Sequence, residues 1–196
     1  HIQLCFDICH YGVSFDAPEA SIQELKAKNI PIGKIQISSA LRVDLREQEV
    51  EKIAELQKYQ EPVYLHQVKA LRKDGSYQEF KDLDEAFAAY IPNTYDEWRV
   101  HFHVPLFLET YGLLGSTQKE IRETLAIQKA SPFTNHLEIE TYTWQVLPIH
   151  LQTDLDQSIE RELKWVLDKF WNDDCKMCNV KIILIYIISG KKMPAI

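Results

Sequence analysis

The sequence predicts an α/β fold, and three observations carry that prediction. Short apolar strands alternate with amphipathic helices along most of the chain. Each strand sorts its residues by parity, apolar on one face and polar on the other. The composition is that of an ordinary globular protein, with 196 residues, 45% hydrophobic and 26% charged.

The elements follow in order. A first strand runs roughly from Gln3 to Asp7 and gives way to a loop, Ile8 to Phe15. Asp16 can cap the next helix, and Pro18 suits its first turn, where a missing N–H costs little. Ile22 and Leu25 give that helix a buried stripe, and Pro31 ends it. Gly33 to Ser38 is the second strand, and Arg46 to Lys58 a charged helix with Val50, Ile53 and Ala54 on one face. Val63 to Leu71 and Tyr77 to Phe80 flank Lys73-Asp74-Gly75-Ser76, a hairpin turn in which Gly75 permits positive φ.

A short helix, Asp82 to Tyr90, precedes Trp98 to Val104, the third core strand, expected in one sheet with the others. Thr117-Gln118-Lys119-Glu120 has the form of a capping box that opens a helix with Ile121 and Leu125 inward. His136 to Thr141 is the fourth strand. The last helix starts near Thr153 or Asp154 and carries Leu155, Ile159, Leu163, Val166 and Phe170 at helical spacing. Beyond Trp171 the pattern changes to a β-prone run, Val180 to Ile188, expected to be the stickiest segment of the chain.

Charge and length exclude some functions. A net charge of -7 argues against a sequence-independent nucleic-acid binder, which needs a basic face to displace counterions. No run approaches the roughly 18 to 20 apolar residues of a membrane span. The opening His1-Ile2-Gln3 lacks the pattern of a signal peptide, so a cytoplasmic location is expected. An immediate apolar run without an initiator methionine suggests a piece of a longer protein. Cys175-Lys176-Met177-Cys178 has zinc-knuckle or redox spacing, but without a second pair it is half a site. Cys5 and Cys9 read as buried strand-end residues.

The chemistry is on the polar strand faces. Cys5 and Asp7 share a face of the first strand; Lys34, Gln36 and Ser38 of the second; His101 and His103 of the third; Glu138 and Glu140 of the fourth. A packed interior would not hold so many carboxylates and imidazoles, since burying each alone costs several kcal/mol. Asp, His and Glu together suit a divalent metal, imidazole favouring zinc, iron or manganese over calcium. Plainer readings exist: Asp7 as a helix N-cap, Glu140 as an ion-pair partner of Lys34, and His66, His136 and His150 as packing or surface residues.

Phe6-Asp7-Ile8-Cys9-His10 resembles the Asp-x-x-His strand end of the xylose isomerase-like TIM-barrel superfamily. His101-Phe102-His103 resembles its later His-rich segment, and Leu137-Glu138-Ile139-Glu140-Thr141 its last strand. Together with Lys34-Ile35-Gln36-Ile37-Ser38, the run Trp98 to Pro105, and Glu140-Thr141-Tyr142-Thr143-Trp144, these segments are similar to the E-component family of the bacterial Ebo metabolite-traffic cluster.

The resemblance implies that residues 1–171 are the C-terminal part of a (β/α)8 barrel with a β-hairpin insertion at about 61–81. Residues 172–196 are then a non-matching tail with room for one extra strand. It implies a divalent metal ion, zinc, manganese or iron, on Asp7, His103 and Glu140, with His101 as the alternate imidazole. Glu140 and His10 would be catalytic, and Gln36, His101 and Lys34 would face substrate. The superfamily usually carries a ligating histidine where this sequence has Gln36, and an amide oxygen is a poor zinc ligand.

The expected function is handling of a small polyhydroxylated or prenylated metabolite in secondary-metabolite export or processing. The alternatives are a metal-dependent sugar or sugar-phosphate isomerase or epimerase, and an inactive barrel serving as a scaffold for other proteins of the cluster. The expected partner is the small-molecule metabolite, with neither nucleic acid nor a membrane span.

Overall fold

A computed structural model describes residues 2–62, 64–140, 149, 154–170 and 181–185 of the chain. It is a mixed α/β structure with two sheets, and no closed barrel is present among the described residues. The first sheet is parallel. It is built from β1 (Leu4–Asp7), β2 (Ile32–Ile37), β9 (His136–Glu140) and β10 (Lys181–Ile185), in the order β1-β2-β9-β10. Phe6, Ile35, Ile37, Leu137 and Ile139 form its buried face. They pack with Ile22 of α2 (Pro18–Ala27), Ile121 and Leu125 of α5 (Gln118–Ala130) and Val166 of α6 (Leu155–Phe170). Apolar residues at alternate strand positions and at helical spacing thus meet in one core, as burial of apolar area requires.

The second sheet corrects two expectations. Trp98 to Val104 belongs to a longer strand, β6 (Tyr95–Val104), which lies outside the parallel sheet. It is central to a six-stranded antiparallel sheet of order β5-β4-β6-β3-β8-β7. The other members are β3 (Ser39–Asp44), β4 (Val68–Arg72), β5 (Tyr77–Phe80), β7 (Thr110–Tyr111) and β8 (Leu114–Ser116). The hairpin β4–β5 turns at Gly75 (φ 82°), as expected, but it pairs with β6 through Val68 opposite Val100. The antiparallel part is therefore much larger than a hairpin inserted at 61–81. The physical cause is Ser38: the chain passes from β2 through this one residue into β3, which pairs antiparallel with β6.

Trp98 fills the middle of the second core, in ring contact with Phe80, Phe87, Tyr90 and Tyr95. Of these, Phe87 lies on α4 (Leu83–Ala88). The charged helix is shorter than expected, α3 (Glu49–Leu56), and runs into a 3-10 turn at Gln57–Tyr59. Val50 is 73% exposed rather than inward, while Ile53 and Leu56 are buried.

Local caps also differ from the sequence reading. Ala17, not Asp16, is the N-cap of α2, with Pro18 following. Thr117 does not cap its own helix: its hydroxyl accepts from Ala40 N at 2.9 Å, tying α5 to β3. The segment after β1, expected as a loop, holds helix α1 (Ile8–Val13). It sits so close to α5 that a Cβ on Gly12 would meet the Thr117 side chain at 3.3 Å. The tail strand β10 pairs with β9 from Lys181 opposite His136 to Ile185 opposite Glu140.

Candidate functional site

The C-terminal ends of the parallel strands, where open α/β sheets bind ligands, carry the polar residues that the sequence singled out. Asp7 closes β1 and caps α1: its Oδ1 accepts from Cys9 N at 3.0 Å and from the Ser38 hydroxyl at 3.0 Å. Its plainer reading as an N-cap is thus true, and only part of its role, because Oδ2 accepts from Gln36 Nε2 at 2.8 Å. The same amide nitrogen donates to Glu140 Oε2, so Gln36 bridges the two carboxylates.

The antiparallel sheet supplies the imidazoles. Ala40 pairs with His103 and Leu41 with Val100, so the pairing skips His101 and Phe102 and β6 bulges there. Bulges of this kind re-aim side chains next to functional sites. His103 Nδ1 lies 3.3 Å from the Glu140 carbonyl oxygen, and its Nε2 lies 3.3 Å from His101 Nε2. His10, on the first turn of α1, stacks on His101 with centroids 4.4 Å apart. Its Nε2 is 3.9 Å from Asp7 Oδ2 and its side chain is 58% exposed. It therefore forms the open rim of the cluster. A cleft of about 630 Å³ begins beside His101, between Leu65, Gln67, Glu79, Phe80 and Lys81.

Burial sets the electrostatics. Desolvation, with the charges of Asp7 and Glu138, raises the Glu140 carboxyl from 4.5 to about 7, against the opposing pull of Lys34 and Gln36. Desolvation also lowers His101 to about 4, helped by the neighbouring His10 and His66. It holds His103 well below the usual imidazole range and Cys9 well above the usual thiol range.

Asp7, His10, Gln36, His101, His103 and Glu140 come together at one end of the sheet. Lys34 does not join them: it lies one pleat back and donates to Glu138 Oε1 at 2.5 Å. The cross-sheet ion pair considered for Glu140 is therefore made by Glu138. Cys5 is exposed on the open face of β1 and not buried as its strand-end position suggested. His66 is 2% exposed, packed on Phe102 at 4.7 Å and paired with Glu61 at 2.8 Å. Thr141 to Trp144, His150 and the Cys175/Cys178 pair lie outside the described residues.

Sequence reasoning missed the part played by Cys9. It is fully buried, and its Sγ shares a volume with the ring nitrogens of His101 and His103, all within 4.8 Å of one another. Among the described residues this is the group of three His, Cys or carboxylate donors that converges. The signal was the cysteine inside Asp7-Ile8-Cys9-His10, two residues beyond the strand, but nothing in the spacing linked it to the distant His101.

Comparison with protein-family models, curated proteins and solved structures gives no match to this chain.

Proposed function

We propose that this chain handles a small polyhydroxylated or prenylated metabolite in the traffic of bacterial secondary metabolites, and that the end of its parallel sheet moves a proton on that molecule. A xylose isomerase-like architecture and a cytoplasmic setting belong to the same reading. Free thiols at Cys5 and Cys9 accord with that setting. No helix among the described residues is long and apolar enough to cross a membrane.

The observation that carries the reading is the shared amide: Gln36 Nε2 holds Asp7 and Glu140 side by side at the ends of parallel strands. Two adjacent carboxylates resist ionising together, and a Glu140 carboxyl at about 7 is matched to acid–base work near neutrality. Glu140 would take a proton from the carbon beside a carbonyl, and His10 at the rim would protonate the carbonyl oxygen as an enediol forms. Glu140 then returns its proton to the former carbonyl carbon while His10 takes back a proton from the hydroxyl on the neighbouring carbon, which becomes the new carbonyl and completes an aldose–ketose exchange. The cleft beside His101, with Leu65 and Phe80 among its walls, has room for the apolar part of such a molecule.

The divalent metal expected on Asp7, His103 and Glu140 does not fit those three residues. Both carboxylates accept from Gln36, Asp7 Oδ1 is taken by Cys9 N and Ser38, and His103 faces the Glu140 backbone rather than its carboxylate. No step is routed through a metal at that place.

The test is deuterium incorporation from deuterium oxide into a panel of aldoses, ketoses and their phosphates, followed by NMR. Glu140→Gln should cut incorporation by about 10²- to 10⁴-fold, the usual worth of a positioned acid–base group. Full exchange in that variant would overturn the assignment. One observation favours a second reading, a binding protein without catalysis: Gln36 satisfies both carboxylates at once. In that case a metabolite raises the melting temperature while neither wild type nor variant exchanges hydrogen.

A further inference from the structure

We propose that Cys9, His101 and His103 form a zinc site with one open coordination position, separate from the carboxylate pair. The three donor atoms lie within 4.8 Å of one another. His101 Nε2 and His103 Nε2 are 3.3 Å apart. Two nitrogens on one tetrahedral zinc, each at about 2.0–2.1 Å from the ion, have that spacing. The rings stand at 90° with centroids 5.0 Å apart, so they meet edge to face and do not stack.

The surroundings hold these donors in place. The Glu140 carbonyl can only accept, so the facing Nδ1 of His103 carries the hydrogen and its Nε2 keeps the lone pair, aimed at His101. Asp7 Oδ1 fixes the Cys9 backbone at 3.0 Å, and the same carboxylate oxygen accepts from the Ser38 hydroxyl at 3.0 Å. A thiolate with two imidazoles is soft enough to select zinc and is a poor set for magnesium or calcium.

Cys9 is 0% and His103 1% exposed, so water does not compete from their side. Three protein ligands leave a fourth position for water or a substrate oxygen, the arrangement of catalytic rather than structural zinc. The exposed His10 stacked on His101, and the cleft that His101 helps to line, mark the open side.

The competing explanation is a plain hydrogen bond between His101 and His103 with no metal. Zinc binding is independent of the proton-transfer reading, because it is measured without any substrate and without Glu140.

The experiment uses cobalt(II) as the spectroscopic stand-in for zinc, on the full chain. Cys5→Ser, Cys175→Ser and Cys178→Ser together leave Cys9 as the single thiol of the four. This chain should bind one cobalt with a thiolate-to-cobalt charge-transfer band and the intense visible bands of a tetrahedral ion, and zinc should displace it. In the same background His103→Ala should weaken binding beyond the roughly 10- to 100-fold that loss of a hydrogen-bond partner behind a ligand costs. Glu140→Gln should leave the spectrum unchanged.

Three results would overturn the site. They are a folded Cys9-only chain that binds no cobalt, binding without the charge-transfer band, and loss of the bands in Glu140→Gln while its circular dichroism is native. Because the Cys9-only chain carries the signature itself, the site stands or falls on that chain even if His103→Ala does not fold.

Discussion

The side-chain amide of Gln36 lies 2.8 Å from Asp7 Oδ2 and spends its other hydrogen on Glu140, so one neutral residue links two acids. Replacing it removes two hydrogen bonds to charged or half-charged groups, each worth about 1.5–3 kcal/mol in protein mutational data. Gln36→Leu should therefore lose roughly 3–6 kcal/mol at pH 8, measured by urea unfolding, with a smaller loss at pH 5 where Glu140 is protonated. An equal loss at both pH values would show that Gln36 is only filling space.

Stability should change with pH in two opposite ways. Glu140 sits at about 7 in the folded chain against 4.5 ordinarily, so the folded state holds its proton more tightly. Its contribution is present below pH 4.5 and is lost as pH rises to about 7. His101 is lowered from 6.5 to about 4, so its contribution is present above pH 6.5 and is lost as pH falls to about 4. The two slopes oppose each other in between. Glu140→Gln should steepen the acid loss and remove the fall towards pH 7, and His101→Gln should do the reverse. Melting temperatures of both variants from pH 4 to 8 check this, and parallel curves for the two would contradict it.

Lys34 and Glu138 cross between β2 and β9 at 2.5 Å, with Glu138 only 8% exposed. Lys34→Met leaves a buried carboxylate without its cation and should cost about 2–3 kcal/mol, since breaking a buried pair costs more than the pair contributes. Lys34→Met with Glu138→Gln should recover most of that. A double variant as unstable as the single would place the effect in packing instead.

Arg99 joins the two halves of the fold. It pairs with Glu97 on its own strand at 2.7 Å and with Glu120 of α5 at 3.0 Å, donates to the Gly12 carbonyl and stacks over Phe15 at 4.1 Å. Arg99→Met takes the cation from the mostly buried Glu120, while Glu97 keeps Arg42 at 2.7 Å, and should cost about 3–5 kcal/mol. Arg122→Met, whose partner Glu109 is exposed, should cost under about 1 kcal/mol. Comparable losses in the two variants would show that Arg99 does not join the halves through its charge.

Much of the parallel sheet was legible because parity is local: Phe6, Ile35, Ile37, Leu137 and Ile139 fall inward, and Asp7, Gln36 and Glu140 fall together on the other face. The antiparallel sheet was not. Whether β6 lies beside β2 or beside β3 is decided by Ser38, where one residue turns the chain from one sheet into the next, and no periodicity marks such a turn. The pairing of Arg99 with Glu120 was hidden for a related reason: Thr117-Gln118-Lys119-Glu120 has the sequence of a cap, but its side chains serve other elements. Cys9 looked like one more core cysteine because the bulge that brings His101 to it exists only in three dimensions.

Proton transfer at this sheet end requires Glu140 to exchange its proton near neutrality beside Asp7, and direct titration of that carboxyl reads it. The chain carries ¹³C in its glutamate carboxyls, and Glu140→Gln identifies the resonance. A proton carrier at this position has its midpoint at about 7. A midpoint near 4.5, the ordinary glutamate value, would contradict that role.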